Sequence, residues 1–244
     1  DIDYIEYNQN SADWKNGTSV LSNNGINTIT ARVYDRAGNS ATKSLEVKVD
    51  TVPPTVMPVV PTPTGLDNWF VSVPVVISAN GTDATSGLLS ALVSTDEKTW
   101  KDSLSLSDGL YTATFRSEDV AGNTTSIPLD LKIDATKPTL EISTSGTLGT
   151  NGWYTSQTTA TLKADDKTSG VDRVEYSQNN SAWQTGTSVV SKDGINSISV
   201  KTYDKAGNML SSQAQVKVDT GMPTSTFTSP ANGSTDTLAR NTLP

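Results

Sequence analysis

Apolar and polar residues alternate with a period of two along much of this chain. The alternation is strict at 45–49, 129–133 and 214–218, and it recurs at 29–33 and 73–79. A period of two places every second side chain on one face, as a half-buried strand requires. Thr, Ser and Val dominate these segments and favour a pleated surface, and no helical stripe of useful length is present. The pattern therefore predicts an all-β protein.

Two short motifs recur at a constant spacing. Asp-x-Ala-Gly-Asn begins at Asp35, Asp119 and Asp204, which are 84 and 85 residues apart, and each copy is followed by a strand-like run. An Asp-x-x-x-Pro motif then begins at Asp50, Asp134 and Asp219 with the same spacing. Residues 2–51 and 171–220 align without a gap and share 25 identities over 50 positions. The chain is therefore predicted to be a tandem array.

The frame of the motifs divides the chain into four parts. Residues 54–137 and 138–222 are complete repeats, residues 1–53 match the C-terminal half of a repeat, and residues 223–244 match the start of a further one. These ragged ends are expected of a piece of a larger repeat protein. An alternative is that the open half-repeat pairs with strands from the tail of a neighbouring molecule. Repetition of a unit makes a chain longer or multivalent, whereas a catalytic site needs to be built only once.

Composition limits the classes of function. The net charge is -8 and the 18 Lys and Arg residues are scattered, which argues against a nucleic-acid partner. No apolar run approaches the roughly 20 residues that cross a membrane. The chain contains neither His nor Cys, so Ser-His and Cys-His nucleophiles are excluded, and no pair of carboxylates recurs as a catalytic dyad. We therefore predict that the chain is not an enzyme.

A complete repeat contains enough strands for two packed sheets. In residues 138–222 strands are predicted at 139–144, 157–164, 171–178, 183–191, 195–203 and 209–218. About six short strands in about 85 residues, separated by Gly, Asn and Asp turns, fit an immunoglobulin-like antiparallel sandwich. Since Cys is absent, Trp, Val, Ile and Leu would form the core.

The residues also resemble a known family. The segments that carry the resemblance are Asn-Gly-Trp-Tyr (151–154), Ser-Gly-Val (169–171), Val-Glu-Tyr-Ser (174–177), Tyr-Asp-Lys-Ala-Gly-Asn (203–208) and Val-Lys-Val-Asp (216–219). Their succession resembles bacterial immunoglobulin-like tandem repeats, of the type found in secreted glycosidases, leptospiral outer-surface proteins and large biofilm adhesins. Glu118 departs from the pattern where the other copies have Tyr. The resemblance implies tandem immunoglobulin-like β-sandwiches arranged as an elongated rod, in a secreted or cell-surface protein.

The glycines of the repeated motif indicate a turn. Gly38, Gly122 and Gly207 are predicted to have positive φ, with the preceding aspartates accepting backbone N–H bonds as turn caps. Each motif would then be a hairpin between the last two strands of a repeat. The asparagines that follow, Asn39, Asn123 and Asn208, would tolerate a left-handed conformation or tie the loop to a neighbour.

The acidic residues also suit calcium, which binds about six to eight oxygen atoms. The candidate ligands are Asp50, Asp134 and Asp219 at the junctions and Asp35, Asp119 and Asp204 at the turns, with Asp83, Asp165 and Asp166 in loops. No dense Asp-x-Asp-x-Asp loop supports the site. The sequence therefore predicts no cofactor, with calcium as the one possible exception.

Tryptophan recurs at two places in the repeat. Trp14, Trp100 and Trp183 follow the third strand and are interpreted as core or end-cap residues because they recur. Trp69 and Trp153 lie near the start of each complete repeat and could contact a sugar ring.

Three functions stay open. A non-catalytic stalk would project a binding or catalytic domain, and its partners would be the neighbouring repeats. Strands of six to eight residues would make each repeat roughly 35–45 Å long. Adhesive or filament-forming repeats would instead bind a host matrix protein, a glycan or another copy. An accessory module of a secreted polysaccharide-degrading enzyme is the third.

Overall fold

The computed structural model describes residues 1–226, and these are almost entirely β-strand and turn. The all-β prediction is confirmed. The described residues group into two compact units. The first unit holds residues 1–137 together with 167–170 and 205–208. The second unit holds 138–166, 171–204 and the described residues from 209 onward.

Residues 1–53, the half-repeat, form one sheet. Its strands are β1 (Ile2–Gln9), β2 (Lys15–Asn16), β3 (Gly25–Asp35) and β4 (Ser40–Val49). They lie in the order β2-β1-β3-β4, and neighbouring strands are antiparallel. Strand β3 carries the alternation predicted from the sequence, so that Ile29 and Ala31 share one face while Thr28 and Thr30 lie on the other.

Residues 54–137, the middle repeat, form two sheets. The strands are β5 (Thr55–Val59), β6 (Trp69–Phe70), β7 (Val75–Thr82), β8 (Leu88–Ser94), β9 (Ser103–Leu106), β10 (Gly109–Asp119) and β11 (Thr124–Ile133), with a 3₁₀ turn at Leu66–Asn68. One sheet has the order β5-β7-β9 and the other β6-β11-β10-β8. Val93, Phe115 and Ile133 lie between the sheets with 0% exposure. Burial of each such side chain contributes about 1.5–3 kcal/mol, which stabilises a module that has no disulfide.

The third repeat, residues 138–222, has the same two-sheet arrangement. Its strands are β12 (Thr139–Ser145), β13 (Trp153–Tyr154), β14 (Thr158–Asp165), β15 (Val171–Gln178), β16 (Gln184–Thr185), β17 (Ser188–Ser191), β18 (Gly194–Asp204) and β19 (Met209–Val218). The sheets have the orders β12-β14-β17 and β13-β19-β18-β15-β16. Leu162, Val189 and Ile198 lie at the centre of the buried apolar cluster.

One predicted strand is wrong in the third repeat. The segment 183–191 was expected to be continuous, but it forms β16 and β17, which belong to different sheets. Gly186 lies between them, and its N–H donates to the carbonyl of Val174 at 3.0 Å. The chain therefore leaves one sheet after β16 and joins the other at β17.

Candidate functional site

The Asp-x-Ala-Gly-Asn motif forms the tight turn between the last two strands of each repeat. In the middle repeat it connects β10, which ends at Asp119, to β11, which begins at Thr124. Gly38, Gly122 and Gly207 have φ of +86°, +93° and +101°. Side chains with a Cβ atom rarely adopt this conformation, so the turn favours glycine at this position.

The aspartate of the motif holds the turn closed. Asp119 Oδ1 accepts the backbone N–H of Asn123 at 2.9 Å, and Oδ2 accepts the Asn123 side-chain amide at 2.8 Å. Asp35 makes the same two bonds with Asn39, each at 2.9 Å. The bond from the Asn39 side chain, followed by the one from its backbone, lowers the pKa of the Asp35 carboxyl below its ordinary value.

The asparagine of the motif also binds the linker that precedes its repeat, which is residues 50–54 for the middle repeat. The Asn123 side-chain amide donates to the carbonyl of Asp50 at 3.2 Å. Thr125 Oγ1, two residues further on, donates to the carbonyl of Pro54 at 2.6 Å. None of the three motif asparagines has positive φ. Of the two roles predicted for them, the middle repeat therefore contains the tie to a neighbouring segment.

A second loop holds the same linker through the side chain of Asp50. Its Oδ1 accepts the N–H of Val52 and its Oδ2 accepts the N–H of Ser86, both at 3.0 Å. Hydrogen bonds from the Ser86 side chain and then from the Val52 backbone lower the pKa of the Asp50 carboxyl. Asp83 Oδ1 accepts three backbone N–H groups of the same loop, from Thr85, Ser86 and Gly87, at 2.8–3.0 Å. The junction is therefore built from carboxylates that face N–H donors.

Three of these carboxylates come together. One oxygen each of Asp50, Asp83 and Asp119 lies within 4.8 Å of the others, and Asp119 has 0% exposure. Carboxylate oxygens are ligands that calcium prefers, and three of them make about half of its usual six to eight. Of the other predicted ligands, Asp35 bonds to its own turn and Asp219 accepts the N–H of Gly221 at 3.0 Å.

The next junction repeats the arrangement within the first unit. Asp134 Oδ2 accepts the N–H of Ser169 at 3.0 Å, and the Asn208 side-chain amide donates to the Asp134 carbonyl at 2.8 Å. These residues correspond in sequence to Asp50, Ser86 and Asn123. Asp166 and Asp204 likewise correspond to Asp83 and Asp119. The two junctions are therefore products of one repeated sequence.

Sequence reasoning missed two sets of junction residues. Ser86 and Ser169 belong to the tripeptide Thr-Ser-Gly, which recurs at 85–87 and 168–170 and could have revealed them. A second polar residue, placed before a glycine in every repeat, holds the backbone just after the last strand. The side-chain Oδ1 accepts a backbone N–H in each case: Asn24 from Thr51 (3.1 Å), Asp108 from Ala135 (2.9 Å) and Asp193 from Thr220 (3.1 Å).

The tryptophans differ in exposure. Trp14 and Trp183, which were expected to be core or end-cap residues, are 36% and 44% exposed and therefore do not lie in the core. Trp69, proposed for sugar contact, is only 8% exposed, so it lacks the open ring face that stacking on a sugar requires. Trp153 is half-buried in β13.

A cation covers each of the recurring tryptophans. The distances to the ring centroid are 4.2 Å for Arg32 over Trp14, 4.5 Å for Arg116 over Trp100 and 4.3 Å for Lys201 over Trp183. A cation over an indole ring contributes about 0.5–1 kcal/mol at an exposed site. The recurrence of these tryptophans thus reflects a repeated pair on the sheet surface rather than a core position.

Taken together, the paired sheets and the repeated turn define immunoglobulin-like β-sandwich modules in tandem. Residues 72–135, which lie in the middle repeat, match the family described as Bacterial Ig-like domain. The resemblance inferred from the sequence is confirmed for that segment. Among curated proteins, none matches the chain.

Several solved structures are similar to this chain. The fibronectin(III)-like modules of Clostridium thermocellum CbhA are 14% identical, with 66% of this chain and 95% of that chain covered and a TM-score of 0.32. A tetra-tandem repeat from the extending region of a large adhesion protein is 18% identical, covering 89% and 66%, with a TM-score of 0.36. A 1.5-MDa bacterial ice-binding adhesin is 15% identical, covering 88% and 85%, with a TM-score of 0.33.

The chain contains an immunoglobulin-like domain similar to adhesin repeats and to fibronectin-like modules of a glycosidase. Within the described residues no helix is both long enough and apolar enough to span a membrane.

Proposed function

We propose that the chain is a non-catalytic stalk of a secreted or cell-surface bacterial protein, and that it projects a binding or catalytic domain. The observation that carries the proposal is the attachment of the linker 50–54 to two loops of the repeat that follows it. Asp50 bonds to Ser86 in one loop and to Asn123 in the other. A linker fixed at both its side chain and its carbonyl cannot rotate as a free Gly/Ser linker does.

Chain rigidity in solution tests the stalk. Small-angle X-ray scattering on the 244-residue chain should give a maximum dimension above about 100 Å, since each repeat is expected to span roughly 35–45 Å. The Ser86→Pro variant removes the N–H that Asp50 accepts and should broaden the distribution of distances. A compact particle, or a distribution unchanged by this variant, would reject the stalk.

The exposed tryptophans favour adhesive repeats as a second candidate. Trp183 is 44% exposed beside the polar residues Lys201 and Gln213, which could hydrogen-bond to a glycan. A glycan array and a matrix-protein pull-down with the whole chain separate the two functions. Binding that is lost in Trp183→Ala supports adhesion, while the absence of any ligand supports a passive spacer.

A further inference from the structure

The dipeptide Asn-Gly recurs in this chain, and the fold places its copies in different surroundings. Four copies lie in the described residues, at Asn16, Asn24, Asn80 and Asn151, and a fifth, at Asn232, lies outside them. In Asn-Gly the side-chain amide carbon is open to attack by the following backbone nitrogen, because glycine has no Cβ to obstruct the approach. The four copies therefore expose the same chemistry to four structural settings.

Three of the four copies are held by the strands and contacts around them. The Gly17 N–H donates to the Ile5 carbonyl at 3.0 Å. Gly81 lies inside β7, the central strand between β5 and β9. The Asn24 side-chain oxygen accepts the N–H and the hydroxyl of Thr51 at 3.1 and 3.0 Å. A reaction at these copies requires a strand or a side-chain contact to open first.

The copy at Asn151 has none of these restraints. It forms the tip of the hairpin that leads into β13, where Asn151 and Gly152 are both exposed and have φ of +53° and +74°. The Trp153 N–H closes the turn by donating to the Thr150 carbonyl at 3.0 Å. Within residues 1–226 neither the Asn151 side chain nor the Gly152 N–H makes a hydrogen bond, and a Cβ on Gly152 would meet nothing within 4 Å. The peptide plane between the two residues is therefore free to rotate.

The middle repeat shows that this turn accommodates an aspartate. Asp67 takes the place of Asn151, two residues before the tryptophan that opens the next strand, and it has φ of +46°. Asp67 is exposed, although the neighbouring Leu66 N–H donates to the Ala206 carbonyl of the following repeat at 2.9 Å. A carboxylate thus fits the left-handed backbone, and the position stays open to solvent beside another repeat.

We propose that Asn151 is a site of spontaneous deamidation, and that it reacts first among the four copies. The Gly152 nitrogen gives up its proton and bonds to Cγ of Asn151, while the bond from Cγ to Nδ2 breaks and ammonia leaves. Water then opens the resulting succinimide ring at either carbonyl, which leaves aspartate or isoaspartate at position 151. The net reaction consumes water, releases ammonia and adds a negative charge to an exposed turn. The inference is independent of the stalk proposal, which depends on the linkers.

Peptide mapping by mass spectrometry measures the four sites side by side after incubation of the 244-residue chain in mildly alkaline buffer. Asn151 should deamidate at least about tenfold faster than Asn24 and Asn80, whose reaction waits for local opening. It should also precede Asn16, whose glycine N–H is engaged. In concentrated urea the four rates should lie within about threefold of one another, because the dipeptide is the same and the fold is gone. An isoaspartyl methyltransferase should label the peptide that contains residue 151.

The Gly152→Asn variant separates the chemistry from the turn. It copies Asn68 of the middle repeat, which has φ of +63°, so the backbone keeps its conformation. The added Cβ obstructs the attacking nitrogen and should slow deamidation at 151 by at least about tenfold, with the rate at Asn80 unchanged. A rate at Asn151 no higher than that at Asn80 in the folded chain would overturn the proposal. An unaltered rate at 151 in the variant would overturn it as well.

Discussion

The contacts of the junction are tested most directly by substitution of Asn123. Replacement of Asn123 by Ala removes a side-chain bond to the Asp119 carboxylate at 2.8 Å and another to the Asp50 carbonyl at 3.2 Å. A hydrogen bond to a charged group contributes about 1.5–3 kcal/mol and a neutral one about 0.5–1.5 kcal/mol. We therefore expect Asn123→Ala to lower the local free energy of opening by about 2–4.5 kcal/mol.

Asn39 provides the matched control. It makes the same bonds with Asp35 at 2.9 Å, and within the described residues its side chain binds no linker. Asn39→Ala should therefore cost only the carboxylate bond, and less than the same bond costs at Asn123, because the bonds of Asp35 are exposed whereas Asp119 is buried. The linker bond is then measured by the exchange of the linker amides, which only Asn123→Ala should change.

Hydrogen exchange followed by mass spectrometry resolves the two turns and the linker. In Asn123→Ala the amides of residues 51–52 should exchange about 2- to 10-fold faster, while in Asn39→Ala they should stay unchanged. Equal effects of the two variants on their own turns, with unaltered exchange in the linker, would refute the argument. The linker would then be held without the asparagine.

Four further predictions concern the same contacts and the core. Because the pKa of Asp50 is lowered in the folded chain, the stability that its carboxylate contributes is fully present above pH 3.8, the ordinary pKa, and is lost as the pH falls below that value. Acid unfolding of the Asp50→Asn variant should lack this pH-dependent loss of stability. Ile198→Val should destabilise by about 0.5–1.5 kcal/mol in urea unfolding, and Ile29→Val in the open half-repeat by less. Gly81→Ala should destabilise by about 1–3 kcal/mol in thermal unfolding, because its Cβ would clash with the buried hydroxyl of Ser117 and would lie 2.5 Å from the carbonyl oxygen of Thr55. Calcium binding stays a prediction: calcium added after chelation should raise Tm in the natural chain and not in Asp83→Asn, and an unmoved Tm in both would reject it.

The sequence predicted the strands well because burial in a sandwich has a simple period. Leu131 and Ile133 are buried at every second position of β11, as their alternation indicates. The sequence did not reveal that 183–191 divides into two strands of different sheets, because Gly186 allows the change of sheet without interrupting the polar pattern.

The surface tryptophans show a second limit of single-sequence reasoning. A large aromatic residue that recurs at one site is usually a core residue, yet Trp14 and Trp183 lie on the surface. The signal for this was a cation that recurs with them, Arg32 in one repeat and Lys201 in the other. Its pairing with the ring depends on which strands are adjacent, and the spacing along the chain does not give that adjacency.

The junction contacts were hidden for a similar reason. Asn123 and the Asp50 carbonyl are 73 residues apart, so no local pattern connects them. The motif could be interpreted as a turn, since the turn uses neighbouring residues only. What the turn interpretation lacks is a use for the second N–H of the asparagine amide.

That second N–H explains how each copy of the unit can hold the linker that precedes it without any residue from outside the repeats. The side-chain amide nitrogen of an asparagine carries two hydrogens. In Asn123 this nitrogen donates both to the Asp119 carboxylate and to the Asp50 carbonyl. The turn of each repeat therefore supplies the donor, and the last strand of the preceding repeat supplies the acceptor. Any two consecutive copies of the sequence contain both halves of the contact, so its recurrence between Asn208 and Asp134 requires no further adaptation.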